Sequence, residues 1–184
     1  MIESLQGYFL IATPQMPDPR FAEKVVLLCA HNEEGAMGLV INEPLNDVLF
    51  ADVCRSANIP VAEGKSPTLY LGGPVEVSNA FFLYSAEYQV EHFLKVSDSV
   101  SLTSDPRLLH DLAAGRGPRR LLVALGYSGW GPGQLEAELS VDGWLTLPAE
   151  DEIIFSVPDR LKWRKAAQRY GIDIDLFGDV VGSA

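Results

Sequence analysis

From Gly126 the chain reads Gly-Tyr-Ser-Gly-Trp-Gly-Pro-Gly-Gln-Leu-Glu-Ala-Glu-Leu, and four of the first eight residues are glycine. Glycines let a backbone approach a ligand where side chains would block it. The free N–H groups of a helix that starts after such a run can converge on an anion or a carbonyl oxygen. Tyr127 and Trp130 would supply apolar walls that also hydrogen-bond, and Glu136 would orient a donor. The candidate ligand site is therefore Tyr127, Ser128, Gly129, Trp130, Gln134 and Glu136, with His31 and Asn42 as neighbours. The segment is not a phosphate-binding Walker loop, because no Gly-Lys-Ser/Thr follows, and its glycine spacing does not match a dinucleotide fingerprint. A nucleophile elbow needs glycine at position 130, where tryptophan stands. The competing reading is structural: a tight turn in which Tyr127 and Trp130 fill the core and Glu136 caps its own helix.

Other residue types add little chemistry. On a helix, Glu136 and Glu138 point to different faces and cannot act as a pair. His31, His92 and His110 lack metal-ligand spacing. His31 faces two readings, a pairing with Asn42 across a hairpin or a hydrogen bond to the turn Asn32 to Gly35. Cys29 and Cys54 read as buried free thiols, without CxxC spacing. The sequence thus assigns no catalytic residue, no metal and no cofactor. Arg116, Arg119 and Arg120 form one basic group, and Arg160, Lys162, Arg164, Lys165 and Arg169 another, read as solvated faces.

The elements that must position these residues follow from period and punctuation. Tyr8 to Ala12 is a strand. Lys24 to Ala30 is apolar on both faces and reads as a central strand. It returns through Asn32 to Gly35 into Gly38 to Asn42, a β-hairpin. Asp47 is expected to cap a helix reaching Ala57. Thr68 to Leu71, Ala80 to Tyr84, Val100 to Thr103, Arg120 to Gly126 and Trp144 to Leu147 are strands. Helices are expected from Asp105-Pro106 to Gly115, from Gln134 to Ser140, and from Asp159 to Gly171. The last has Trp163, Ala166, Ala167 and Tyr170 on its apolar face. A glycine-rich turn is expected from Gly126 to Gly133. Hairpins mixed with short helices indicate an α+β fold. We expect a single compact domain over residues 1–184, with a mixed, mostly antiparallel, strongly curled sheet flanked by helices.

Composition narrows the function classes. Of 184 residues, 47% are hydrophobic and 21% charged, which is ordinary for a globular protein. The formal net charge of −11 argues against direct nucleic-acid binding. The start, Met1-Ile2-Glu3, lacks the basic residues of a signal peptide, and the longest apolar run, Val25 to Ala30, is too short to span a bilayer. No membrane association and a cytoplasmic location are expected.

Four ordered segments then carry a resemblance: Phe9 to Met16; His31-Asn32-Glu33-Glu34-Gly35-Ala36-Met37-Gly38-Leu39-Val40-Ile41-Asn42-Glu43-Pro44; Gly72-Gly73-Pro74-Val75; and Gly126 to Leu139 with Trp144-Leu145-Thr146. Nearly the whole chain resembles the AlgH/YqgE family of bacterial proteins. The resemblance implies a compact α+β fold with a pseudo-barrel sheet, a cytoplasmic setting, and a regulatory association, since some relatives are named for alginate regulation. It carries over no catalytic residues. Some relatives have cysteine where Leu147 stands, so a thiol role at that position does not transfer. Two function classes follow. The first is a non-enzymatic cytoplasmic regulatory or partner-binding protein, its protein partner unidentified. The alternative is a small-ligand-binding protein or enzyme with its site at the strand-to-helix turn Gly126 to Glu138.

Overall fold

The structure is a computed structural model that describes residues 3–62 and 66–177. Nine strands form one strongly curled, half-barrel sheet. They are β1 (Tyr8–Ala12), β2 (Val25–Asn32), β3 (Gly35–Val40), β4 (Leu69–Leu71), β5 (Val75–Ser85), β6 (Leu94–Lys95), β7 (Val100–Thr103), β8 (Leu121–Trp130) and β9 (Trp144–Pro148). Five helices flank it: α1 (Phe50–Ser56), α2 (Pro106–Ala113), α3 (Gln134–Ser140), α4 (Asp151–Phe155) and α5 (Asp159–Gln168). The strand order is β6-β7-β5-β8-β3-β2-β1-β9, with β4 joining β8 in parallel and the named strand pairs otherwise antiparallel.

The run Val25 to Cys29 is continuously apolar because alternate residues face two different cores. Val25, Leu27 and Cys29 join Phe9 and Ile11 under Trp163 and Ala166 of α5. Val26 and Leu28 join Leu10, Trp130, Leu135 and Trp144 under α3. A third core packs α1 and α2 through Phe50, Cys54, Leu108 and Leu109 onto Leu69, Phe82, Tyr84 and Val123. The expected hairpin is present, with Leu27 opposite Leu39 and a bulge between Leu28 and Ala30.

β8 is the hub of the sheet. Its first half lies between β5 and β4, and its last residues, Ser128 to Trp130, pair with β3. Gly126 marks the change of neighbour, with φ of 71°. A Cβ on Gly126 would come closer than 3.0 Å to the Gly73 carbonyl oxygen, and one on Gly73 would strike the Tyr127 backbone. Gly72-Gly73 and Gly126 therefore belong to one backbone crossing. The Gly72 N–H donates to Leu125 O (2.8 Å), and the Gly72 carbonyl accepts from Val40 N (2.9 Å) and Ser128 Oγ (3.1 Å).

Several expectations need correcting. The segment Gly126 to Trp130 is strand, not turn, and only Gly131 to Gly133 connects to α3. Pairing on both sides of β8 overrides the turn propensity of its glycines. Asp47 does not cap α1; Asp52, in its first turn, accepts the Leu49 N–H instead (2.9 Å). α4 and the two-residue β6 were not expected. On α5, Trp163, Ala166 and Ala167 are buried and Arg160 and Lys165 exposed, as the period requires, but Tyr170 lies past the helix and is 42% exposed. Lys162 is not on a solvated face: it is 2% exposed and donates to Ile41 O (2.7 Å) and Ile154 O (3.0 Å) while pairing with Asp159 (2.9 Å). Burial pushes its pKa down, against the pull of Asp159. Cys29 and Cys54 are both buried and free, and burial pushes the Cys29 thiol up to about 12. Among the described residues no helix is long and apolar enough to cross a membrane.

Candidate functional site

The residues singled out in the glycine-rich segment divide over three places. Tyr127 is half-buried on β8, its ring edge-on to Phe81 at 5.6 Å. Ser128 is 1% exposed and spends its hydroxyl proton on the Gly72 carbonyl. Gly129 is exposed opposite Met37 of β3. Trp130 is buried and donates its indole N–H to Glu138 Oε2 (2.9 Å). Gln134 accepts the Gly131 N–H (3.0 Å) and donates to Glu138 Oε1 (3.3 Å), so it fastens the start of its own helix.

Glu136 reaches His31, not its own helix end. His31 Nε2 lies 2.7 Å from Glu136 Oε1, and His31 Nδ1 accepts the Leu5 N–H at 3.0 Å. Because Nδ1 is an acceptor, the neutral ring carries its proton on Nε2 and donates it to the carboxylate. That hydrogen bond holds Glu136 below the usual carboxylate range. The imidazole is 2% exposed, so the pair ties the N-terminal segment, β2 and α3 together. Neither reading of the His31 partner, Asn42 or the Asn32 to Gly35 turn, anticipated this contact. Asn42 lies at the far end of the hairpin, where it accepts from Val25 N (3.0 Å) and donates to Glu23 O (3.0 Å).

Glu138, noted in the sequence only as the second acid of the pair, is the centre of an aromatic cluster. Its Oε2 accepts the indole N–H groups of both Trp130 (2.9 Å) and Trp144 (2.8 Å). The rings of Phe21 and Trp144 meet edge-on at 5.4 Å, and those of Trp130 and Trp144 at 6.3 Å. A small hollow of about 60 Å³ opens here, lined by Met16, Pro17, Asp18, Phe21, Glu138 and Trp144, with Val141 and Gly143 at its side. The two acids of α3 thus turn to different neighbours, as their spacing on a helix requires.

A larger cleft lies beside the core that α1 and α2 pack onto the sheet. It encloses about 720 Å³ between α1, the start of α2, and β5. Its walls include Val48, Val53, Phe81, Phe82, Leu109 and Leu125, and among the described residues its charged lining is Asp52 and Glu76, with no lysine or arginine. β5 supplies one rim in an unusual way. Val75 pairs with Tyr127 and Ala80 with Leu125, so residues 76–79 bow out of register as an arch. Glu76 takes φ of 51° to start it, and Val77 is left 52% exposed. A shallower hollow of about 260 Å³ adjoins the cleft through the shared residues Phe81 and Ser104, and reaches the exposed Phe93 and Leu94. No short motif marks this surface, because its apolar residues come from separate elements. Among the described residues no group of three or more His, Cys, Asp or Glu is placed to hold a metal ion.

The comparisons with known proteins agree with this architecture. The AlgH-like family model matches residues 9–175. A UPF0301 protein of Desulfotalea psychrophila is 43% identical over 181 residues, covering 98% of this chain and 95% of that protein. One from Cereibacter sphaeroides is 46% identical over 182 residues, covering 98% and 99%. The solution structure of the AlgH protein from Pseudomonas aeruginosa superposes with a TM-score of 0.79 at 38% identity, covering 100% of this chain and 98% of that one. Protein DIP2367 from Corynebacterium diphtheriae, at 20% identity and a TM-score of 0.71 over 95% and 92% of the two chains, shares the fold. With matches of this extent, the chain belongs to the AlgH-like, UPF0301 family.

Proposed function

We propose that this chain is a non-catalytic, regulatory partner-binding protein of the cytoplasm, and that its cleft takes an apolar, basic segment of another protein. The carrying observation is the cleft itself: about 720 Å³, open to solvent, with apolar walls and only acidic charge in its lining. Monomeric surfaces rarely leave contiguous apolar area uncovered unless something binds there. The arch at residues 76–79 adds to the argument. Val77 does not line the cleft but stands on its rim between the lining residues Glu76 and Ser78; a valine held out in water there costs stability, and that cost is offset when a segment seated in the cleft extends over it. Charge selects the occupant, because Glu76 and a net charge of −11 favour lysine and arginine flanking the apolar anchors, while Asp52 is already shared with Arg55 (2.9 Å). The two unpaired thiols suit a reducing compartment.

A selection of random 16-residue displayed peptides on the whole protein tests this reading. Recovered peptides should combine aliphatic or aromatic anchors with lysine or arginine. Val77→Asp, at an exposed position, should weaken them about tenfold or more. Binders that ignore Val77→Asp and Val53→Asp would overturn the assignment. So would a concentration-dependent dimer abolished by Val77→Asp, which would make the occupant a second copy of this chain.

A further inference from the structure

We propose that the hollow at Glu138 is a recognition site for an organic ammonium ion, either a free alkylamine or the head of a lysine side chain. It is independent of the cleft, which borders a different core and shares no lining residue with it. The argument begins with an unbalanced charge. Glu138 is partly buried among aromatic rings, yet its three hydrogen-bond donors are Trp130, Trp144 and Gln134, all neutral. Among the described residues no lysine, arginine or histidine lies within ion-pair distance of it, although a carboxylate beside it in the lining, Asp18, is paired with Arg20 (2.7 Å). A carboxylate in apolar surroundings without a counter-ion is costly, and a cation entering beside it recovers that cost.

The walls define the cation. Trp144 and Phe21, the latter with the Arg20 guanidinium already over its ring at 5.9 Å, present aromatic rings, and Met16, Pro17 and Val141 present aliphatic or thioether surface. Aromatic rings beside a carboxylate suit an ammonium group that carries its own methylenes: the charge meets the carboxylate and ring faces, and the alkyl stem meets the apolar rim. A metal ion would need several oxygen ligands, and the lining offers the carboxylates of Glu138 and Asp18, the latter already held by Arg20. The volume of about 60 Å³ is about two water molecules' share of the liquid, so the hollow admits the head of a ligand and leaves the stem outside. Both oxygens of Glu138 keep their indole and amide donors in this arrangement, and the ammonium uses the one remaining lone pair, on Oε1. The site is thus pre-organised: Trp130, Trp144 and Gln134 fix the carboxylate before the ligand arrives.

The test uses the intact protein and its tryptophan fluorescence, with two-dimensional NMR to locate the change. n-Butylammonium should perturb the indole N–H signals of Trp130 and Trp144, with saturation in the range of about 1–10 mM. n-Butanol, its neutral counterpart, should not. Glu138→Gln keeps an oxygen acceptor for the indoles but removes the charge, and should weaken the amine at least about tenfold. Phe21→Leu should weaken it less. Unchanged near-ultraviolet circular dichroism verifies that both variants fold. Nα-acetyl-lysine N-methylamide separates the sources: tighter binding than butylammonium assigns the site to a lysine of a protein, and weaker binding assigns it to a free amine. Equal binding of butanol, an amine response that survives Glu138→Gln, or no response up to 100-fold above that range would overturn the proposal. Peptides selected on the cleft should bind Glu138→Gln normally, so the two readings fail separately.

Discussion

His31 and Glu136 are 105 residues apart in the chain and 2.7 Å apart in the fold. The histidine anchors the N-terminal segment through Leu5 N and receives α3 through Glu136. Together with Leu135 in the core beneath it and the indole bonds to Glu138, this contact sets how α3 sits on the sheet.

The pair has an acid signature. Glu136 titrates below its ordinary value in the folded protein, so its contribution is fully present above the unfolded carboxylate range, near pH 4.3, and is lost as pH falls through the folded value. Urea midpoints measured from pH 6 to pH 3 should fall more steeply for the parent than for Glu136→Gln, with the two curves converging at the acid end. The partly exposed pair should contribute about 1 kcal/mol at neutral pH. Parallel curves would contradict the assignment.

The backbone crossing at Gly73 and Gly126 leaves no room for a Cβ. Gly126→Ala, which also meets the left-handed φ of 71°, should destabilise the protein by about 3 kcal/mol or more in urea unfolding. Gly133→Ala is the control: its φ is similar but nothing lies within 4 Å of its Cβ, and it should cost only about 1 kcal/mol.

Trp163 is 6% exposed and donates its indole N–H to Ala12 O at 2.8 Å. Trp163→Ala should cost about 3–5 kcal/mol, while Trp163→Phe, which loses mainly the hydrogen bond, should cost about 1–2 kcal/mol. An alanine variant that unfolds like the parent would show that α5 does not seal this core.

Lys162→Met removes the ammonium that satisfies two buried carbonyls and Asp159. The expected loss is about 3 kcal/mol, because the partners remain buried without their cation. Tyr70, which donates to Asp159 and lies under the Lys162 ammonium at 5.1 Å, should couple to it. A double-mutant cycle with Tyr70→Phe should give a non-zero interaction energy.

The sequence was most informative where one local signal and the tertiary packing agree. The central strand read from the run Lys24 to Ala30, apolar on both faces, the Asn32 to Gly35 turn and the Gln134 helix start all appear as read. It misled at Gly126 to Trp130, where glycines serve a backbone crossing inside a strand, and at Lys162, whose ammonium satisfies two buried carbonyls and Asp159. Of the two neighbours expected at the glycine-rich segment, His31 does lie against it, at Glu136. Asn42 does not, because the two ends of one hairpin are separated by its whole length. The cleft was not legible, since α1, α2 and the β5 arch meet only in the folded sheet. The weight of Glu138 was hidden for a similar reason, as Trp144 reaches it from a different strand.

The most direct measurement is amide chemical-shift mapping of the intact protein with a basic, apolar peptide selected on it. The partner-binding reading predicts shifts concentrated in Val48 to Ala57 and Glu76 to Phe82, on both walls of the cleft, and abolished by Val77→Asp. Shifts that fall elsewhere, or that persist unchanged in Val77→Asp, would contradict it.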